Sequence, residues 1–154
     1  PQQIWAESMN AIKGFLGAIA STYLLGVLFV SQGNLARIAE MGLDIDFGVR
    51  LQALTHDVSS MVSLYLPLVV VALLIALTVC HQIAKRASVN PALLFLLAGF
   101  VGMVALHLLM KAALTLTGIA PTRTIDGLML QGVAGALGAY VYYWLSAYAK
   151  PKIN

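Results

Sequence analysis

The stretch MVSLYLPLVVVALLIALTVC, from Met61 to Cys80, contains no charged side chain over 20 consecutive residues. A helix needs about 20 predominantly apolar residues to cross the hydrocarbon core of a bilayer, because each residue adds about 1.5 Å to its length. The segment is therefore long enough and apolar enough to span a membrane. It predicts that the chain is an integral membrane protein.

The composition of the whole chain supports the same class. Of its 154 residues, 60% are hydrophobic and 10% are charged, and the mean hydropathy is +0.89. A soluble domain of this size would need a much larger charged surface. The nine lysines and arginines are scattered singly or in pairs, without a basic stripe, so the net charge of +3 does not indicate a nucleic-acid partner.

Three other segments also have the character of spans. The four predicted spans cover residues 14–30, 61–80, 92–116 and 127–145. The fourth is the weakest because it contains several glycines and Gln131, but it ends in YVYYWLSAY, an aromatic cluster typical of a membrane–water interface. The sequence predicts an all-α integral membrane protein with four transmembrane helices in a single domain, residues 1–154.

The loop between the first two spans, residues 31–60, contains two helical patterns. NLARIAEMG has Asn34 at the position of an N-cap and Gly42 at its end. Asp46 is placed to cap a second segment, whose apolar residues keep helical spacing and which runs on into span two. We expect a short helical hairpin on the outer face of the membrane. The alternative is a loop that is partly disordered in water.

Proline and capping residues predict where the spans begin and bend. Asn90-Pro91 marks the start of span three, because proline fits the first helical turn, and Thr124 is placed to cap span four. Pro67 lies inside the predicted second span, where it should bend the helix and free the carbonyl of Ser63.

The basic residues predict an orientation, because lysine and arginine near span ends favour the cytoplasmic side. Five lie on one side of the predicted membrane: Lys13, Lys85, Arg86, Lys150 and Lys152. Three lie on the other: Arg37, Arg50 and Arg123. We therefore expect a multi-pass protein of a bacterial-type inner (plasma) membrane with both termini in the cytoplasm. The N-terminal segment, with Trp5 and Glu7, lacks the pattern of a cleavable signal peptide.

Polar side chains from several spans fall at one depth near the outer end. His107 lies 16 residues after Pro91, about 24 Å along a helix and roughly 6 Å inside the outer edge of the core. Gln131 comes five residues after Asp126, roughly 7 Å in, and so matches His107 in depth. Lys111, one turn beyond His107, reaches the outer interface.

The polar side chains at this depth predict a candidate site for an anionic group. The predicted ligand-binding residues are His107, Lys111, Gln131, Arg123, Asp126, His56, Asp57, Ser60 and Ser63. The cations and the N-termini of spans two and four attract a lipid phosphate or a carboxylate, whereas the aspartates oppose it. The structural alternative is that Lys111 extends to the headgroups, while His107 and Gln131 hydrogen-bond and hold spans three and four together.

Neither a metal centre nor a catalytic centre is predicted, and no cofactor is expected. The three histidines lie apart without HxxxH or HExxH spacing, and Cys80 is the single cysteine. The sequence has no GxSxG motif and places no serine beside a base. An intramembrane enzyme acting on lipid is therefore the least supported class.

Small residues form stripes on three spans, which is typical of tight helix packing in membranes. One stripe on span three contains Gly99, Met103, His107 and Lys111. One on span four contains Gly127, Gln131, Gly135 and Ala139. If these two stripes face each other, His107 meets Gln131. A further face on span one, with Gly14, Gly17 and Ser21, hints at a homo-oligomer.

Two functions follow from these patterns. The first is an oligomeric protein that binds, or helps to transport, a lipid headgroup or small anion at the polar layer, with membrane lipid as its partner. The alternative is a non-catalytic accessory or scaffold subunit of a larger membrane complex. We favour the first, because ionisable groups inside a membrane are costly and are usually functional. The first function requires Lys111 to point into the bundle. The alternative requires the polar groups to be engaged in hydrogen bonds within the protein.

Overall fold

A computed structural model describes residues 2–114 and 124–146, and within these ranges the chain is helical with no strand. The helices are α1 (Gln2–Glu40), α2 (Phe47–Ser60), α3 (Tyr65–Ala84), α4 (Pro91–Leu114) and α5 (Ile125–Leu145). A single 3-10 turn, Met61–Ser63, separates α2 from α3. The prediction of an all-α chain is confirmed for the described residues.

Three segments among the described residues are long and apolar enough to cross a membrane: Glu7–Glu40, Tyr65–Ala84 and Pro91–Ala113. They agree with the predicted class of membrane protein. Helix α5 is not one of the three, because Gln131 and four glycines lower its hydropathy.

Helix α5 lies between α1 and α4 and packs against both, and α3 packs on the other side of α4. Helices α1 and α5 are antiparallel, since Gly14 faces Tyr142 and Gly26 faces Gln131. The order around the bundle is therefore α3, α4, α5, α1, and the contact between α1 and α3 is much less extensive. We call the end that carries α2 and Tyr65 the α2 end, and the end that carries the turn 85–90 the opposite end.

The close approach of α4 to α5 depends on two glycines. A Cβ atom on Gly99 would overlap the carbonyl of Gly135, and a Cβ atom on Gly135 would overlap the carbonyl of Gly99 and the side chain of Met103. The small-residue stripes of spans three and four therefore face each other, which was the condition set for a contact between His107 and Gln131.

The small-residue face of α1 also packs inside the bundle. Gly14 lies against Tyr142, Gly17 lies against Leu145, and Gly138 lies against α1 from the other side. This face is thus covered by α5 of the same chain. The hint of an oligomer that rested on it loses its basis.

Helix α1 continues without a break through residues 31–40, so the prediction of a separate short helix capped by Asn34 is wrong. The only helix breaker in this stretch is Gly33, and one glycine in a helix interior costs only about 1 kcal/mol. The buried side chains of Ser31 and Leu35 extend the packed face of α1 past that point. The helix ends before Gly42, whose φ of 86° is the left-handed conformation common after a helix.

Helix α2 returns along the end of α1. Its predicted N-cap is confirmed, because the side chain of Asp46 accepts a hydrogen bond of 2.8 Å from the backbone N–H of Val49. Arg50 donates to the side-chain oxygen of Gln32 at 2.9 Å and so ties α2 to α1. The chain therefore reverses direction between α1 and α2. The helix before this turn is the end of the long helix α1 and not a separate short helix.

The chain does not continue as one helix from α2 into span two. After the 3-10 turn, α3 begins at Tyr65, so Pro67 is its third residue. In a first turn the missing N–H of proline needs no partner. The helix is thus interrupted inside the predicted span just before Pro67, as predicted, but the interruption separates α2 from α3 and is not a bend within α3.

The predicted starts of the last two helices are confirmed. The side chain of Asn90 accepts a hydrogen bond of 3.0 Å from the backbone N–H of Ala92, one residue into α4. The hydroxyl of Thr124 accepts one of 3.3 Å from Gly127, at the start of α5.

Candidate functional site

The candidate site is a set of buried polar side chains at the α2 end of the bundle, centred on Gln131. Its side chain is 1% exposed and lies in α5. The hydroxyl of Tyr65 in α3 donates to Gln131 Oε1 at 2.5 Å, and Gln131 Nε2 donates to the carbonyl of Gly26 in α1 at 3.0 Å. One amide group therefore connects three helices.

Gly26 makes room for these contacts. A Cβ atom at this position would overlap the hydroxyl of Tyr65 and would lie 2.9 Å from Gln131 Oε1. Any larger residue at position 26 would push both side chains away from α1. The hydrogen bond between Tyr65 and Gln131 therefore depends on the small size of Gly26.

Two aromatic side chains extend the site towards α2. The ring of Tyr65 packs against that of Tyr23, with ring centroids 5.9 Å apart. The hydroxyl of Tyr23 donates to the backbone carbonyl of Val58, near the end of α2, at 2.6 Å. We call Gln131, Tyr65, Tyr23 and His107 the polar layer.

His107 completes the layer from α4. Its side chain is 5% exposed, its ring centroid lies 6.1 Å from that of Tyr65, and its Nδ1 lies 2.8 Å from the carbonyl of Met103. A carbonyl only accepts, so Nδ1 carries the hydrogen of this bond. The other ring nitrogen, Nε2, is buried and has no hydrogen-bond partner among the described residues.

The predicted hydrogen bond between His107 and Gln131 is wrong. Both polar groups of Gln131 are bonded to Tyr65 and Gly26, and His107 bonds to its own helix. The physical reason is reach: the long phenol of Tyr65 extends from α3 to the amide. His107 lies at the edge of the network and contacts its aromatic ring.

The other predicted site residues do not join the layer. Exposed side chains at the α2 end are those of Lys111, Asp126, His56, Ser60 and Ser63. Asp57 is half-buried, and the hydroxyl of Ser60 donates to its carbonyl at 3.4 Å within α2. Arg123 lies outside the described residues. Of the eight predicted residues that the structure describes, it brings only His107 and Gln131 into one buried cluster.

The side chain of Lys111 does not point into the bundle, as the first of the two predicted functions requires. It is exposed on the last turn of α4. This placement matches the structural alternative, in which the long side chain carries its ammonium group towards the headgroups.

Sequence reasoning missed Tyr23 and Tyr65. Both lie within predicted spans, and the predicted site residues include no tyrosine. The signal was present, because a buried tyrosine hydroxyl needs a hydrogen-bond partner. A tyrosine well inside a predicted span should therefore be paired with a polar residue on another span.

The chemistry open to this layer is limited. Within residues 2–114 and 124–146, no group of three histidine, cysteine, aspartate or glutamate side chains could hold a metal ion. The layer contains two phenols, one amide and one imidazole, and most of their polar atoms are engaged in internal hydrogen bonds. Such an arrangement holds helices together.

Comparison of the chain with protein-family models, with curated proteins and with solved structures finds no significant match. The interpretation of the polar layer therefore depends on its own geometry.

Proposed function

We propose that α5 is the fourth transmembrane helix of this chain. Its 21 residues extend about 32 Å, which matches a hydrocarbon core of about 30 Å. It packs between α1 and α4, both of which are apolar enough to span a membrane, and it runs antiparallel to α1. The polar group of Gln131 meets protein atoms and not lipid, which offsets its cost in the membrane.

The proposed orientation places the α2 end outside a bacterial-type inner membrane. It follows from the excess of lysine and arginine at the opposite end and in the C-terminal segment. Helix α1 has 39 residues and extends about 58 Å, so a large part of it projects beyond the hydrocarbon core. In this orientation the C-terminal end of α1, together with α2, lies on the outer side, and the residues before Gly14 extend past the end of α5 on the other side.

We propose that the protein is a non-catalytic accessory or scaffold subunit of a larger membrane complex. The observation that carries this proposal is the double hydrogen bonding of the buried Gln131 side chain, which joins α5 to both α3 and α1. The exposed position of Lys111 also argues against a cationic site in the layer. In this function the polar layer locks the helices and so gives the α2 end a fixed shape.

The proposed docking surface lies at the α2 end, on the turn after α1 and on α2. Its side chains are apolar and well exposed: Met41, Leu43, Phe47 and Leu51. Phe47 is 77% exposed. An exposed apolar group at the edge of a bilayer is costly unless lipid or protein covers it. We propose that another membrane protein covers it.

The test is photo-cross-linking in native membranes. A photoreactive residue at position 47 or 51 should give one cross-linked protein of defined mass, and one at His56, which is exposed on the other face of the same helix, should not. The substitutions Phe47→Ser and Leu51→Ser should abolish co-purification of that protein, whereas His56→Ser should not. Cross-links to lipid alone at positions 47 and 51 would contradict the proposal.

A second candidate function is the binding or transport of a lipid headgroup or small anion at the polar layer. It is favoured by the buried Nε2 of His107, which lacks a partner among the described residues. An anion would bind to the protonated ring, in which Nε2–H donates. Native mass spectrometry of the detergent-released protein tests it: a bound mass should be lost in His107→Ala and retained in Met110→Ala, and a wild type without any bound mass would exclude it.

A further inference from the structure

A lateral groove lies between α1 and α3, towards the opposite end of the bundle from the polar layer. Its volume is about 420 Å³, within the range of ligand sites. Helix α1 lies against Tyr65 of α3 at Gly26, and its overall contact with α3 is much less extensive than its contact with α5. From Tyr65 to His81, which lines the groove, the distance along α3 is about 24 Å. The groove and the polar layer are therefore separate features.

The walls of the groove are apolar over most of its length. One wall consists of side chains of α1 between positions 11 and 16, the other contains Leu74 and Leu77 of α3, and Tyr142 of α5 also contributes. Ile12, Leu16 and Leu74 are all more than half exposed. In a membrane such a groove is open to the lipid tails, so that an apolar chain can enter it from the side.

The wall formed by α3 changes from apolar to polar towards the opposite end of the bundle. Leu74, Thr78, His81 and Lys85 recur at steps of three or four residues and so share one face of the helix. Leu74, Thr78 and His81 line the groove, and Lys85 follows one turn later, near enough for its charge to act on His81. The groove thus runs from apolar to cationic as it approaches the membrane surface.

Basic residues outnumber acidic ones at this end, where α1 carries Glu7 and Lys13 and the turn after α3 carries Lys85 and Arg86. Residues 81–90, HQIAKRASVN, contain two basic residues and no acidic one. The C-terminus of α3 contributes a partial negative charge of about half an elementary charge, which Lys85 and Arg86 together exceed. A negatively charged group is therefore favoured where the groove reaches the surface.

We propose that this groove binds an anionic phospholipid, with an acyl chain along the apolar walls and the phosphate at Lys85 and His81. The occupant must combine an apolar chain with an anionic head at one end, which is the chemistry of such a lipid. An apolar side chain from a second copy of the protein would fill the apolar part but would not use the charge of Lys85. This site is independent of the proposed role as a subunit.

The test is competition between two lipids with identical acyl chains. The full chain is reconstituted in a 1:1 mixture of phosphatidylglycerol and phosphatidylcholine, extracted in mild detergent and analysed by native mass spectrometry. Wild-type protein should retain phosphatidylglycerol about fivefold over phosphatidylcholine, the preference expected from one cation near the surface. Lys85→Gln should reduce this ratio towards one, whereas Lys111→Gln, the same charge change at the α2 end, should leave it unchanged.

A second measurement does not depend on any variant. Phosphatidylglycerol with a photoreactive acyl chain should label the stretches 11–16 and 74–78 well above Leu24, which is exposed on α1 outside the groove. Equal retention of the two lipids by wild-type protein, an unchanged ratio in Lys85→Gln, or equal labelling of Leu24 would each overturn the proposal.

Discussion

Tyr65 and Gln131 are 66 residues apart in the sequence, and their side chains share a hydrogen bond of 2.5 Å in the interior of the bundle. Their helices, α3 and α5, otherwise touch very little, because α4 lies between them. The same amide reaches Gly26 of α1, so this bond closes the open side of the bundle at the α2 end. The groove between α1 and α3 lies further along both helices, at residues 11–16 and 74–81.

The first prediction concerns Gly26. In Gly26→Ala the new methyl group overlaps the hydroxyl of Tyr65 and approaches the amide of Gln131, and overpacking of this kind costs about 1–3 kcal/mol. The free energy of unfolding in detergent–SDS mixtures, followed by tryptophan fluorescence, should fall by that amount.

The control for Gly26 is a background without the hydroxyl. In Tyr65→Phe protein the main clash is absent, so adding Gly26→Ala should cost clearly less than it does in the wild type. An equal cost in both backgrounds would show that the effect of Gly26→Ala comes from elsewhere in α1.

The second prediction concerns the contact of α4 with α5. Gly135→Ala places a methyl group against the backbone carbonyl of Gly99, which cannot move aside as a flexible side chain can. We expect a loss of about 3 kcal/mol or more, or failure to fold. Leu137→Ala, at an exposed position of the same helix, should cost less than 1 kcal/mol in the same unfolding experiment.

The third prediction separates a structural from a ligand-binding His107. If the layer only locks helices, His107→Leu removes one hydrogen bond within α4 and a buried nitrogen without a partner, so stability should change by less than about 1 kcal/mol. A native mass spectrum with and without the substitution should show no difference in bound mass. Loss of a bound species in His107→Leu would favour the second candidate function.

The fourth prediction concerns orientation and the fourth span. In a Cys80→Ala background, Gln52→Cys at the α2 end should react with a membrane-impermeant maleimide in intact cells, and Ser88→Cys at the opposite end only after permeabilisation. If α5 spans the membrane, Lys150→Cys should behave like Ser88→Cys. Labelling of Lys150→Cys together with Gln52→Cys would show that α5 does not cross.

Much of the local structure could be predicted from the sequence because local interactions determine it. The caps at Asp46, Asn90 and Thr124 depend on side chains that bond within three residues of themselves. The apolar spans follow from composition over about 20 residues. The facing stripes of α4 and α5 could be predicted because Gly99 and Gly135 are the small residues that allow a close approach.

The errors concern interactions between distant parts of the chain. The continuity of α1 past Gly33 depends on the burial of Ser31 and Leu35, which no local pattern displays. The partner of Gln131 depends on the reach of Tyr65 from a third helix, not only on the depths at which His107 and Gln131 lie. Equal depth predicts the same layer of the bundle, but the hydrogen-bond partner depends on the lateral arrangement of the helices.

A double-mutant cycle on Tyr65 and Gln131 tests the central claim that the polar layer locks the helices. Tyr65→Phe and Gln131→Leu should each lower the free energy of unfolding by about 1–2 kcal/mol, since each leaves the other polar group buried without its partner. The double variant should cost less than the sum of the two, with a coupling energy of about 0.6 kcal/mol or more. Strict additivity of the two losses would contradict the account.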